Sequence, residues 1–304
     1  LPVELAKNGG WKNRKYWPLV NPNLNRSVDE SFLVNGLISA ERDGPAAMAL
    51  FASQHFNIEL GQGLQTDRWA GADFWEKNGD KELTLEKLIE QSEVIEAGVD
   101  GGGLDDLLSL SFIGRKTGSR QWLHWSHSWC HESVLEKRKG ENQRLNDFEA
   151  DGNLTVVNDM KLAFAGVADL VVKVDESGLL HQIGFDPIGV GLIIDALATK
   201  DIQNIEGQPD RIVSVTQGYK MHGAIKTAEV KLASGDLVHA AQPIMAWAVS
   251  NAKVEPKGNA ITITKQVAGS AKIDPLMSLF DAVALMSLNP AATKSVYEDE
   301  EFVF

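Results

Sequence analysis

Four aspartates stand where a folded chain can bring carboxylates to one point. Asp100 closes the apolar run VIEAGVD and is followed by Gly101-Gly102-Gly103. Bare backbone leaves room there for a ligand, and a carboxylate at a strand end suits a hard cation. Asp186 repeats the arrangement, ending LLHQIGF ahead of Pro187 and the glycines 189 and 191. Asp274 begins the apolar stretch DPLMSLFDAVALMSL with Pro275 behind it. Asp281 comes seven residues later, two helical turns on and on roughly the same face. Each first-ranked aspartate also has an ordinary reading: Asp100 as a turn residue capping the glycine loop, Asp186 as a helix-proximal cap, Asp274 as an N-cap. Asp195 reads as the polar face of its helix. If the strand ends and the helix converge, the gathered negative charge is unfavourable without cations. Divalent ions resolve it, and two of them about 4 Å apart can drive phosphodiester hydrolysis.

The elements that must position these groups can be read from apolar periodicity. VIEAGVD, DLLSLSFIGRK and QWLHWSHSWCH, joined by short turns, predict an antiparallel meander from Val94 onward. ADLVVKVDESG and LLHQIGFDP come next, then a helix at GLIIDALATK, a strand at RIVSVT, a helix around GAIKTAEVKLAS, a strand at NAITITKQ and the final helix. Three antiparallel strands followed by βα units describe a mixed sheet with helices on its faces. The first ninety or so residues differ. Pro18 and Pro22 break any regular element early on. Asp29 or Ser27 can cap a helix through FLVNGLISA, Pro45 suits the first turn of a second, and Thr84 can cap LEKLIEQSE. The texture places a boundary near Glu93.

Other chemistries fit less well. GVDGGGLDD is similar to the first phosphate loop of sugar-kinase ATPases, but the hydroxyl residue is missing and Asp105 and Asp106 would repel phosphates; no GxxxxGK[ST] occurs either. In the third strand His124 faces away from His127 and His131, which argues against a three-histidine zinc site. Trp122, Trp125 and Trp129 read as core. Cys130, the single cysteine, excludes an internal disulfide and reads as a buried thiol. The net charge of −13 argues against a nucleic-acid coat protein, not against a nuclease with a metal at its centre and basic residues at its rim. Arg138, Lys139, Lys220, Lys226, Lys231, Lys253, Lys257 and Lys265 are the candidates for touching a phosphate backbone. Neither a signal sequence nor an apolar run of membrane length is present in the sequence.

Six segments in order, VDGGGLDDLLSLSFIGR, WLHWSHSW, IGFDPIGVG, TQGYKMHGAIKTAEVKLASG, NAKVEPKGNAITITKQ and AKIDPLMSLFDAVALMS, resemble the large terminase subunit of tailed bacteriophages across residues 94 to 290. NPNLNRSVDESFLVNGLISAERDG resembles the stretch that closes the terminase ATPase domain. The resemblance implies an α/β fold of the ribonuclease H-like kind, a mixed five-stranded sheet flanked by helices. It divides the chain into an ATPase-domain remnant with linker helix (1–93), a nuclease domain (94–290) and an acidic tail (291–304). It further implies a metal-dependent endonuclease that cleaves concatemeric double-stranded phage DNA during packaging, with no ATPase activity from this chain alone. Carried over by position, Asp100, Asp186 and Asp274 would be the catalytic ligands of two Mg²⁺ or Mn²⁺ ions, with Asp281 a further ligand. Relatives often carry an acidic pair at the third position, where Lys272 and Ile273 here precede Asp274. The implied partners are DNA, the portal protein, the small terminase subunit and the ATPase region of the full-length protein, in the host cytoplasm. A module that docks on portal or motor through the acidic run Glu298-Asp299-Glu300-Glu301, its cutting activity latent, is the alternative.

Overall fold

The computed structural model describes residues 9–56, 67–138, 140–187, 191–265 and 272–292. Lys139 and the Glu298–Glu301 run lie outside the described residues. Contacts divide the chain after Arg68, whereas the sequence texture puts a boundary near Glu93. The physical reason is that residues 69–91 pack into the cores of the second unit: Trp69 and Trp75 join one of them, and Leu85 and Leu88 the other.

In the first unit, 3-10 turns through residues 10–19 precede two helices, α1 (Glu30–Asp43) and α2 (Pro45–Phe56). Asp29 caps α1, its carboxylate accepting from the Ser31 amide at 2.9 Å. The helices close over Trp11, Trp17, Leu33, Phe51 and Phe56. Burying these large side chains compensates for the irregular start of the chain.

The second unit begins with α3 (Ala72–Trp75) and α4 (Leu85–Gln91), the latter capped by Thr84. The predicted meander is present: β1 (Ser92–Gly101), β2 (Leu107–Lys116) and β3 (Trp122–His131), antiparallel in turn. Next come α5 (Ser133–Lys137), α6 (Asn142–Ala150), β4 (Leu154–Val157), α7 (Met160–Asp175), β5 (Leu180–Phe185), α8 (Gly191–Ala198) and β6 (Ile212–Ser214). The chain continues through α9 (His222–Ser234), β7 (Leu237–His239), α10 (Pro243–Ser250), the hairpin β8 (Ala252–Lys257) and β9 (Ala260–Lys265), and α11 (Asp274–Met286). The apolar ADLVVKVD stretch is the second half of α7.

Strands β3-β2-β1-β5-β6 form the expected mixed sheet, with β5 and β6 parallel to β1. The sheet has seven strands rather than five, because β4 and β7 pair with the two halves of the outer edge of β3. At four and three residues they are too short for a period-two pattern to register. One face of the sheet, with Ile95, Ala97, Val99, Leu108, Leu110 and Phe112, packs on α7 and α8. Along the other face α11 crosses β1 and β2.

Candidate metal centre

The alternation of β1 assigns its side chains. With Ile95, Ala97 and Val99 in the α7 core, Glu96, Gly98 and Asp100 face α11. Helix α11 lies directly on the strand. A Cβ on Gly98 would collide with the Ser278 carbonyl oxygen and stand 2.5 Å from the Ala282 amide nitrogen and 2.9 Å from the Asp281 Cβ. Gly184 of β5, in register with Gly98, is also crowded: a Cβ there would stand 2.7 Å from Val215 Cγ2 and 3.1 Å from Leu285 Cδ1 of α11. Each glycine is followed two residues later by an aspartate, Asp100 or Asp186. The parallel pairing of Val99 with Phe185 sets the two carboxylates side by side under the same helix.

Helix α11 supplies the other side of the site. Asp274 is its first residue and Asp281 lies two turns on; both are buried. Asp274 is not the N-cap, since that position belongs to Ile273 and no side chain caps the helix. Between them Ser278 bonds Ser111 Oγ at 2.9 Å, which ties the helix to β2. The glycine loop brings in a fifth acid, Asp106. Gly101 and Gly102 take left-handed φ values of 90° and 111°, and a Cβ on Gly101 would overlap the Leu107 carbonyl oxygen, so the turn requires glycine.

The electrostatics result from this crowding. Burial, then the charges of Asp186 and Asp106, push the Asp100 carboxyl up to about 7. Burial and the neighbouring Asp106 and Asp100 hold Asp274 well above the ordinary range. Burial and Asp100 do the same to Asp281, against a hydrogen bond from Gln217 Nε2 to Asp281 Oδ1 of 2.8 Å. Asp106 moves the opposite way. Burial works upward on it, but the hydrogen bonds from Asp274 and Lys272 and the charge of Lys265 prevail, so its carboxylate stays below the ordinary value.

This donor set suits a hard divalent cation. Asp274 Oδ2 and Asp281 Oδ2 are buried without a hydrogen-bond partner, an arrangement that costs free energy unless a cation or proton compensates it. Among the described residues no group of three His, Cys, Asp or Glu side chains is placed to hold an ion as it stands. Gln217 holds one oxygen of Asp281, and Lys272 engages one of Asp106.

The predicted basic residues divide by place. Lys265, at the end of β9, reaches Asp106 Oδ2 at 3.4 Å, and Arg138 Nη2 donates to the Asp105 carbonyl at 3.4 Å, so both stand at the acidic loop. Lys220 is exposed in the turn after β6, three residues beyond Gln217. Lys257 pairs with Glu255 at the hairpin tip, Lys226 pairs with Glu229, and Lys253 sits on β8. Lys231 lies elsewhere. It covers the Trp122 ring at 4.5 Å and bonds the Arg120 carbonyl. Trp122 is six residues before Ser128, the β3 residue in the row of Asp100 and Ser109, which puts Lys231 about 20 Å away along the strand. His124 and His127 face opposite sides of β3 as the alternation requires. Burial and His239 hold the His124 ring down at about 3, which keeps it neutral. Burial and then Glu149 push the Cys130 thiol up to about 12. Asp195 is exposed on α8. Sequence reasoning missed Asp106 as a site member, and Lys272 and Gln217 as partners.

No helix among the described residues is long and apolar enough to cross a membrane. Comparison with known proteins adds the family. The profile of the terminase large subunit endonuclease domain matches residues 3–288. The Escherichia coli K12 protein YmfN is 23% identical over 291 residues, which cover 90% of this chain and 59% of that protein. The terminase large subunit of Lactococcus phage p2 is 26% identical over 196 residues, 62% of this chain and 34% of that protein. The chain thus spans about a third to three fifths of the length of these curated relatives. The crystal structure of the HK97 bacteriophage large terminase superposes with a TM-score of 0.58 at 19% identity, over 90% of this chain and 54% of that one. The chain belongs to the family of terminase large subunit endonuclease domains.

Proposed function

We propose that this chain is a divalent-metal-dependent endonuclease that cleaves concatemeric double-stranded phage DNA during genome packaging. The observation that carries the reading is the meeting of Asp100, Asp186, Asp106, Asp274 and Asp281 at one end of the sheet, two of them with buried unpartnered oxygens. Family membership supports reading the cluster as a nuclease centre.

Asp100, Asp186 and Asp274 would together hold two ions, and Asp281 would add a ligand; the charge of Asp186 acts on Asp100, and that of Asp100 on Asp274 and Asp281. When bound, Mg²⁺ or Mn²⁺ supplies Lewis acidity for the attacking water and for the departing 3′ oxygen. The chain's own residues do the rest. Gln217 donates to Asp281 Oδ1 and so orients it, and Lys265 at the rim would meet the phosphate. Arg138, Lys220 and Lys257 would track the DNA backbone without reading sequence. Portal, small terminase subunit and the ATPase region would decide where and when the cut falls.

The test is conversion of supercoiled plasmid to nicked and linear forms in EDTA, Mg²⁺ and Mn²⁺, with Asp100→Asn and Asp186→Asn alongside. Cutting that needs metal and both aspartates supports the reading. A variant that cuts at the wild-type rate refutes its assignment.

A further inference from the structure

Lys272 occupies an unusual position for a lysine. Its side chain is only 4% exposed, and its ammonium donates to the Asp105 carbonyl oxygen at 2.7 Å and to Asp106 Oδ1. A buried ammonium is costly unless paired, so the site must gain from it. Lys265 approaches the second Asp106 oxygen from the rim at 3.4 Å, with a side chain 43% exposed. Two ammonium groups thus clasp one carboxylate. Lys265 also acts by its charge on Asp100 and Asp274, so the pair of lysines opposes the crowding of the acids.

We propose that Lys272, assisted by Lys265, is a positioning residue that acts as a built-in counter-ion of the acidic centre: it holds Asp106 away from incoming metal and weakens divalent-ion binding. The inference rests on the metal-dependent reading above. An entering cation meets a fixed positive charge that cannot swing into solvent, because the lysine stem is enclosed. It must then either share Asp106 with an ammonium or displace it, and like charges this close oppose each other strongly in a partly buried setting. The benefit falls on the metal-free protein. There the ammonium offsets carboxylate repulsion and clips the loop of residues 101–106 to the start of α11, so the centre is built before metal arrives.

Calorimetric titration of the metal-free protein with MnCl₂ tests this, with melting in EDTA and in Mn²⁺ as the second readout. Lys272→Met removes the charge at similar volume. It is expected to bind Mn²⁺ at least tenfold more tightly than wild type, to melt lower in EDTA, and to gain more from Mn²⁺. Lys272→Arg keeps the charge and should stay within about twofold of wild type. A folded Lys272→Met that binds Mn²⁺ equally or more weakly overturns the proposal, as does an Arg variant that tightens as much as Met. If the Met variant does not fold, half-exposed Lys265→Met decides: about threefold tighter binding supports the proposal, and unchanged or weaker binding overturns it. A wild-type chain that binds no Mn²⁺ removes the metal reading and this inference together, whereas wild-type binding with unaltered variants removes the inference alone.

Discussion

Asp100→Asn should make the metal-free protein more stable while abolishing cleavage. The carboxyl is raised from 3.8 to about 7, first by burial and then by Asp186 and Asp106. A group raised in the folded state contributes its full share of stability below about pH 4 and loses it as pH climbs through 7, because the unfolded chain ionises first. The full displacement corresponds to about 4 kcal/mol. Asp100 retains partial exposure, so water screens part of it, and about 2 kcal/mol is the working figure. Asparagine keeps the shape of the neutral carboxyl and cannot ionise. In EDTA the variant should therefore match wild type near pH 4 and melt about 5 °C higher at pH 8. Saturating Mn²⁺ should reverse the order, since only the carboxylate gains from the ion. The assay is thermal unfolding across that pH range with and without Mn²⁺, beside plasmid nicking. A variant that melts with wild type at pH 8 in EDTA would show that burial and the neighbouring acids do not raise this carboxyl as the structure requires.

Other positions give three further expected outcomes. Gly98→Ala should destabilise by about 3 kcal/mol in urea titration, because the new Cβ meets helix backbone at Ser278 and Ala282 rather than a movable side chain. Glu96, buried on β1 with His181 Nδ1 at 2.7 Å, is pushed up to about 7 by burial, so the stability it contributes is present below about pH 4.5 and lost as pH passes 7. Glu96→Gln should accordingly gain about 2 kcal/mol on wild type between pH 5 and pH 8, and a constant difference would count against that burial cost. Among the basic residues, Lys231→Met should leave DNA affinity unchanged, whereas Lys220→Ala should reduce the salt slope of DNA binding by about 0.9; equal effects of the two would place the DNA elsewhere.

The meander, the helix caps at Asp29 and Thr84 and the last helix were legible because each carries a strong local signal. So were Asp100 and Asp186 as strand-end acids. Spacing alone left open whether they meet, yet the sequence carries a cue in the repeated tripeptides Gly98-Val99-Asp100 and Gly184-Phe185-Asp186. In each, a glycine whose Cβ position is already filled by a neighbour stands two residues before an acid. Asp106 was visible only as a repulsive neighbour of the glycine loop, since its role depends on Lys272 and Asp274, more than 160 residues away. Gln217 has no local signature at all. Strands β4 and β7 stay hidden because tertiary pairing with β3, not propensity, makes them strands. The number of lysines gave no way to separate Lys265, at the acids, from Lys231, which stacks on a tryptophan at the far end of the sheet.

The order in which the acids occur along the chain has a consequence for synthesis. The proposed centre draws on residues 100, 106, 186, 274 and 281, and its last two members ride on α11, which rests on Gly98. A growing polypeptide that has emerged only as far as α10 possesses the sheet edge but neither of the helix acids. On the proposed nuclease reading, a polypeptide released before α11 would lack two of the five acids and would not cut DNA.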